Sequence, residues 1–229
     1  MENRFDEYII RNQTFRYYKE KHVQNEDDAY LIGFMACDGA FINNDRCTKM
    51  SINNTQLNII EWFKDNYSPD TKIEETGIKV TKRVNAINPV YELKFSAKMR
   101  DFWNNHGIFC YKKDRRLIGI KHKFFWAYFA GCIDGDGFVT VAKRKDQRTE
   151  SIRVFITHES ERFLEDLQHK LMEFNIASGL KEHDSGNCYR LGIQSKFALM
   201  PILEKIEPHL KNQQKKKIVN DYLNKYYRK

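Results

Sequence analysis

No run of apolar residues in this 229-residue chain approaches the length of a membrane-spanning helix, so no membrane partner is expected. The opening stretch, Met1-Glu-Asn-Arg-Phe-Asp-Glu7, is polar and acidic and lacks the basic and apolar blocks of a signal peptide. Cysteine is scarce: five residues, at Cys37, Cys47, Cys110, Cys132 and Cys188. The number is odd and no Cys-x-x-Cys pair occurs. A zinc site and a disulfide framework are therefore not indicated, and reduced, mostly buried thiols in an intracellular protein are expected.

What is present begins with enough apolar residues, 41% of the chain, to bury a sizeable core. The formal net charge of +8 points to a polyanionic partner. The most informative feature is an internal repeat. Leu31-Ile-Gly-Phe-Met-Ala-Cys-Asp-Gly39 is echoed by Phe129-Ala-Gly-Cys-Ile-Asp-Gly-Asp-Gly137. The echo continues downstream. Met50-Ser-Ile-Asn-Asn-Thr55 parallels Val154-Phe-Ile-Thr-His-Glu159, and Tyr91-Glu-Leu-Lys-Phe95 parallels Tyr189-Arg-Leu-Gly-Ile193. A period of about 100 residues suits a small domain better than a solenoid unit.

Each half reads as helix, two strands, helix, two strands, helix. Asn25-Glu-Asp-Asp28 starts the first helix, with acids in its first turn. Alternation marks strands at Lys79–Arg83, Tyr91–Phe95 and Tyr189–Ile193, and Asn85–Pro89 and Asp184–Asn187 read as hairpin turns. Residues 1–27 form an N-terminal extension, 28–107 the first repeat, 108–122 a basic linker, and 123–229 the second repeat with a C-terminal helix. Within the motifs, Gly33 and Cys37 are four apart, as are Gly131 and Gly135, so each pair shares a helix face. Small residues there let two helix backbones approach closely. Leu31, Phe34, Met35, Phe129 and Ile133 would fill the cores on either side. Asp38 and Asp136 then fall together at helix C-terminal ends, with Gly39 and Gly137 suited to left-handed caps. Two acids facing the negative ends of helix dipoles repel, unless a cation such as Mg2+ compensates.

Both segments resemble the LAGLIDADG motif of homing endonucleases, in the single-chain, two-motif form, and the resemblance spans residues from about 28 to 225. It implies an α+β fold of two pseudo-symmetric αββαββα repeats, with the motif helices at the interface and a saddle of antiparallel sheets. It implies a monomer that cuts double-stranded DNA at a long specific site and leaves short 3′ overhangs. The expected cofactor is Mg2+, with Mn2+ as a substitute and Ca2+ supporting binding only. The metal ligands carried over are Asp38 and Asp136, with the backbone carbonyls of Cys37 and Gly135. The sixth motif position is acidic only in the second copy, as Asp134, where the first has Ala36. The resemblance also implies residues that order water around the scissile phosphates. Asn54 and His158 match at strand ends. Lys112 or Lys113 fits at the end of the first repeat, and Lys217 fits at the end of the second, with Lys215 or Gln213 under a shifted alignment. On the sheet faces that would meet DNA, alternation nominates Asn44, Arg46, Lys49, Ser51, Asn53, Lys79, Thr81, Arg83 and Lys94 in the first half. In the second half it nominates Thr140, Arg144, Ser151, Arg153, Lys181, His183, Arg190 and Gln194. The alternative on the same scaffold is an RNA maturase or a non-cleaving DNA-binding protein.

Overall fold

Asn25 opens the first motif helix, α1 (Glu26–Asp38), by accepting a hydrogen bond from the Asp28 amide at 2.9 Å. In this computed structural model, residues 4–10, 13–44, 47–81, 86–109, 111–142, 150–184, 186–193 and 196–228 are described. Ahead of α1 lies a hairpin, β1 (Phe5–Ile10) with β2 (Gln13–Tyr18). After it come β3 (Gly39–Asn44), β4 (Cys47–Asn54), α2 (Leu57–Tyr67), β5 (Glu74–Thr81), β6 (Ala86–Phe95) and the short α3 (Arg100–Asn104). The second half runs α4 (Phe125–Asp136), β7 (Gly137–Ala142), β8 (Ser151–His158), α5 (Glu161–Glu173), β9 (Gly179–Glu182), β10 (Tyr189–Ile193) and α6 (Lys196–Ile206). The C-terminal helix α7 (Gln213–Tyr226) follows. The strands form two antiparallel four-stranded sheets of matching order, β3-β4-β6-β5 and β7-β8-β10-β9. This is the expected α+β architecture of two like repeats. No helix among the described residues is long and apolar enough to cross a membrane.

The period of two decides which face each sheet buries. Met50 pairs with Phe95 and Ile52 with Leu93, and all four are buried toward the helices. Their neighbours Lys49, Asn53 and Lys94 point to the opposite face, where Lys49 and Lys94 are only half-exposed. In the second sheet Val139, Val154, Ile156, Leu191 and Ile193 face inward in the same way. The inner faces are covered by amphipathic helices. Ile59, Ile60, Phe63 and Tyr67 of α2 are buried on one side, and Phe163, Leu164, Leu167 and Leu171 of α5 on the other.

The extension at residues 1–27 is tied to the first repeat. Asp28 is fully buried and accepts from Tyr18 Oη at 2.6 Å, Tyr67 Oη at 3.0 Å, Arg4 at 2.7 Å and the Gln24 amide at 2.9 Å. A buried carboxylate is tolerable only when so many donors satisfy it. Arg16 adds a surface pair to Asp70 at 2.8 Å.

Two sequence expectations are corrected. Pro89 is not in a hairpin turn but inside β6, opposite Ile78 of β5. Strand β4 pairs with β6 only from Tyr91 onward, so the N–H that proline lacks has no ladder partner to lose on that side. Gly39 and Gly137 are not left-handed either. Their backbones are extended, with φ −71° and −83°. Glycine is required there by proximity: a Cβ on Gly39 would lie 2.6 Å from the Met35 carbonyl oxygen, and one on Gly137 would strike Ile133.

Candidate active site at the paired helix ends

Helices α1 and α4 pack through their glycines. A Cβ on Gly33 would collide with the Tyr128 carbonyl, and one on Gly131 with the Tyr30 carbonyl, so the contact is reciprocal. At the C-terminal end a Cβ on Gly135 would lie 2.9 Å from Cys37 Cβ and 3.4 Å from Asp38 Cβ. The two acid-bearing ends therefore abut. Asp38 is half-buried and the Asp136 side chain is 33% exposed. Both acids are the last residues of their helices, immediately before β3 and β7.

Each helix end is capped by a cation from far downstream of its own motif, a buried Arg115 for α1 and a half-buried Lys215 for α4. Arg115 is 1% exposed and donates to the carbonyls of Met35 (3.0 Å), Ala36 (2.7 Å) and Gly39 (2.6 Å). Lys215 Nζ donates to the carbonyls of Ile133 (2.6 Å) and Asp134 (3.1 Å). Terminal carbonyls of a helix lack intrahelical partners and carry its negative dipole end, so a cation serves both needs. Burial pushes the Lys215 pKa down, against the attraction of Asp134, Asp38 and Asp136. The three pulls place Lys215 within electrostatic reach of both motif acids. Asp134 fixes this lysine indirectly. It accepts from Tyr30 Oη at 2.8 Å and from the backbone amides of Lys211 (2.7 Å) and Asn212 (3.0 Å), which lead into α7. Burial nevertheless raises its pKa.

The strand-end and lysine candidates separate. Asn54 Nδ2 donates to Asp38 Oδ2 at 3.3 Å, while its Oδ1 accepts from the Gln56 amide. Lys112, in a short 3-10 turn of the linker, reaches Asp136 Oδ2 at 3.2 Å, whereas Lys113 is exposed. His158 departs from the expected role of ordering water around the scissile phosphates. It is 2% exposed, its Nδ1 accepts from the Ser160 amide at 2.9 Å, and Nε2 lies 3.0 Å from the Ala36 carbonyl. With Nδ1 as acceptor, Nε2 carries the proton and donates. Lys217 is turned away, pairing with Asp221 along the exposed face of α7 at 2.8 Å. Lys215 takes the inward position in its place. Gln213 is exposed at the first turn of α7. Arg115 was not legible as a site residue. The available signal was that Arg115 and Lys215 lie at nearly the same distance downstream of their motifs.

The donor set at the helix ends fits a hard divalent cation. It offers two carboxylates with the adjoining carbonyls of Cys37 and Gly135, all oxygen, at a partly open position. No cluster of three or more His, Cys, Asp or Glu side chains occurs among the described residues.

The outward sheet faces carry most of the described DNA candidates. In the first sheet Lys49 pairs with Glu92 at 2.7 Å, and Lys94 with Glu74 at 2.5 Å and Glu92 at 3.6 Å. Ser51 is buried beneath this cluster, at 1% exposure, which corrects its nomination as a direct DNA contact. Asn53 is exposed. In the second sheet Thr140, Arg153 and Arg190 are half-exposed, Lys181 is exposed, and Ser151 donates to the Ala142 carbonyl at 3.2 Å. His183 follows β9, with its amide on the Cys188 carbonyl. Asn44 falls in β3, and Lys79 and Thr81 in β5. Arg46, Arg83, Arg144 and Gln194 lie outside the described residues.

Against known proteins, a family model described as a LAGLIDADG-like domain matches residues 125–207. The meganuclease I-SmaMI bound to uncleavable DNA is similar in structure, with 12% identity, 88% of this chain and 89% of that chain covered, and a TM-score of 0.56. I-SmaMI bound to an uncleaved DNA target in the presence of calcium ions gives a TM-score of 0.55 at 12% identity, with 88% and 89% covered. The N-terminal LAGLIDADG domain of DUF199/WhiA gives 0.55 at 17% identity, with 84% of this chain and 86% of that one covered. No curated protein sequence matches the chain.

Proposed function

We propose, from the LAGLIDADG-like domain matched at residues 125–207 and the two-repeat fold, that the chain is a LAGLIDADG-family protein and a divalent-metal-dependent endonuclease cutting double-stranded DNA at a long specific site. The observation that carries this reading is the meeting of Asp38 and Asp136 at abutting helix ends, with the Gly135 Cβ position 3.4 Å from Asp38 Cβ. Like charges at negative dipole ends are unfavourable unless a cation joins them. A bound Mg2+ would supply an activated water and offset charge developing on the phosphate. Asp38 and Asp136 would hold it, with the carbonyls of Cys37 and Gly135. Asn54 orients the Asp38 carboxylate through its amide. Lys112, now on Asp136, is placed to neutralise a scissile phosphate when DNA enters. Arg115 and Lys215 fix the helix ends and keep both acids in register. The two sheets spread from this point and offer their outward cations to the duplex. The DNA-bound and calcium-containing forms of I-SmaMI support the reading.

One observation favours a second reading, a non-cleaving nucleic-acid binder. The Lys112–Asp136 pair at 3.2 Å gives one acid a counter-ion without any metal. A randomised plasmid library incubated with the protein and Mg2+ separates the two. Sites cut on both strands are expected. Asp38→Asn or Asp136→Asn should abolish cutting while leaving duplex binding in Ca2+ within a few-fold. Duplex binding by the unaltered chain with no cutting in Mg2+ or Mn2+ would establish the non-cleaving reading instead.

A further inference from the structure

The outer faces of the two sheets differ at equivalent places. In the first sheet the row of residues beginning beside the motif acid is Ala40, Ser51 and Lys94. In the second the equivalent row is Phe138, Phe155, Gly192 and Gly179. Phe138 is 64% exposed although it lies on the polar side of its strand. Phe155 is half-buried, with the Arg190 guanidinium carbon 5.6 Å from its ring centroid. Because two glycines follow it across the sheet, a recess of about 180 Å³ opens there, lined by Phe155, Gly179, Leu180, Lys181, Arg190 and Gly192. A Cβ on Gly179 would meet nothing within 4 Å. Packing within the protein therefore does not require the side chain to be absent at that position.

We infer that this row reads the C5-methyl group of a thymine in the major groove, with Arg190 reading an adjacent guanine. The inference rests on the duplex-binding part of the proposed function and not on cleavage. Two observations and the chemistry of base edges select this occupant. The recess is apolar at Phe155 and its glycine floor but rimmed by Lys181 and Arg190, which suits an apolar group carried on a polyanion. It lies on the same face as Arg153 and Thr140, the candidate duplex surface. Among base edges in the major groove only thymine presents a methyl, while arginine meets guanine O6 and N7 through two parallel bonds. The Arg190 guanidinium already rests against the Phe155 ring, 5.6 Å from its centroid, so less side-chain freedom is lost when it makes those bonds.

The test is selection of bound duplexes in Ca2+ from two randomised pools, identical except that one carries uracil in place of thymine. From the thymine pool one position should favour thymine by about four-fold, the worth of one buried methyl. That preference should vanish in the uracil pool while the rest of the motif persists. Phe155→Ala should remove it at the same position only. Gly179→Leu, which fills the recess from open space, should do so too, and melting curves check that both variants fold. Arg190→Ala should relax a neighbouring guanine by roughly 5- to 150-fold. Identical motifs from both pools, or a thymine preference intact in folded Phe155→Ala and Gly179→Leu, would overturn the inference while leaving duplex recognition standing. No motif from either pool, or a preference for single-stranded RNA in competition, would overturn both readings.

Discussion

Asn54 and His158 occupy equivalent strand ends and meet different surroundings. Asn54 reaches the Asp38 carboxylate, whereas His158 turns inward onto the Ala36 carbonyl of the other motif helix. Burial depresses the His158 pKa to about 4, and the nearby positive charges of Arg115 and Lys112 add to the effect. A folded pKa below the unfolded value of about 6.5 means that the unfolded chain binds the proton more readily. The stability contributed by neutral His158 is therefore complete above pH 6.5 and is lost as pH falls toward 4. A shift of this size is worth roughly 3 kcal/mol. Urea midpoints measured from pH 7 to pH 4 should fall more steeply for the natural chain than for His158→Gln, and parallel profiles would show that His158 titrates normally. At this scale the motif acids were legible because two copies of one pattern ended in Asp-Gly. The lysine run 215–217 was not. Three consecutive cations on a helix point in three directions: Lys215 to Ile133, Lys216 to Glu207 and Lys217 to Asp221. Only the phase of α7 against α4 selects among them, and that phase is set by Asp134 holding the amides of Lys211 and Asn212.

Between elements, the small residues of the motifs announced a close helix pair, because a glycine at four-residue spacing has little other use inside an apolar helix. The glycines that follow the acids misled, since the same residue serves a left-handed cap or a steric near-collision, and only the packing of the folded helix ends distinguishes them. The anchoring of the N-terminal hairpin was also hidden. Asp28 has the position of an ordinary first-turn acid, and its four donors come from residues scattered between Arg4 and Tyr67. The helix contact carries a direct prediction. Gly33→Ala and Gly131→Ala each place a methyl against a carbonyl of the partner helix, so α1 and α4 must separate. Overpacking of this kind costs about 1–3 kcal/mol, or several degrees of melting temperature for a chain of this size. Gly77→Ala is the control, because its Cβ would meet nothing within 4 Å. Equal melting temperatures for all three variants would mean that the helices do not meet at these glycines.

Over the whole molecule, the net charge of +8 is not spread evenly across the candidate DNA face. In the first sheet, Lys49 and Lys94 are held by Glu92 and Glu74. Burial is the largest single influence on Glu92 and pushes its pKa up. Hydrogen bonds from Lys49 and Ser51, with the charge of Lys94, outweigh it and keep the carboxyl below its usual range. Glu92 thus remains an anion on a surface proposed to meet phosphates. In the second sheet no ion pair engages Arg153, Lys181 or Arg190 among the described residues. Duplex affinity should therefore depend more on the second sheet than on the first. Each neutralised phosphate contributes about −0.9 to the slope of log affinity against log salt, and a saddle tracking a long site should show at least about six. Arg153→Ala should make that slope shallower by about one if the residue contacts phosphate, and should instead relax one base position if it reads a base. Glu92→Gln should act in the opposite sense. By releasing Lys49, while Lys94 stays on Glu74, it should strengthen binding to random-sequence duplexes and steepen the slope by about one if Lys49 gains a phosphate. Titrations in Ca2+ between low and moderate salt measure both effects. An unchanged slope and affinity in Glu92→Gln would mean that the first sheet does not face the backbone of the duplex.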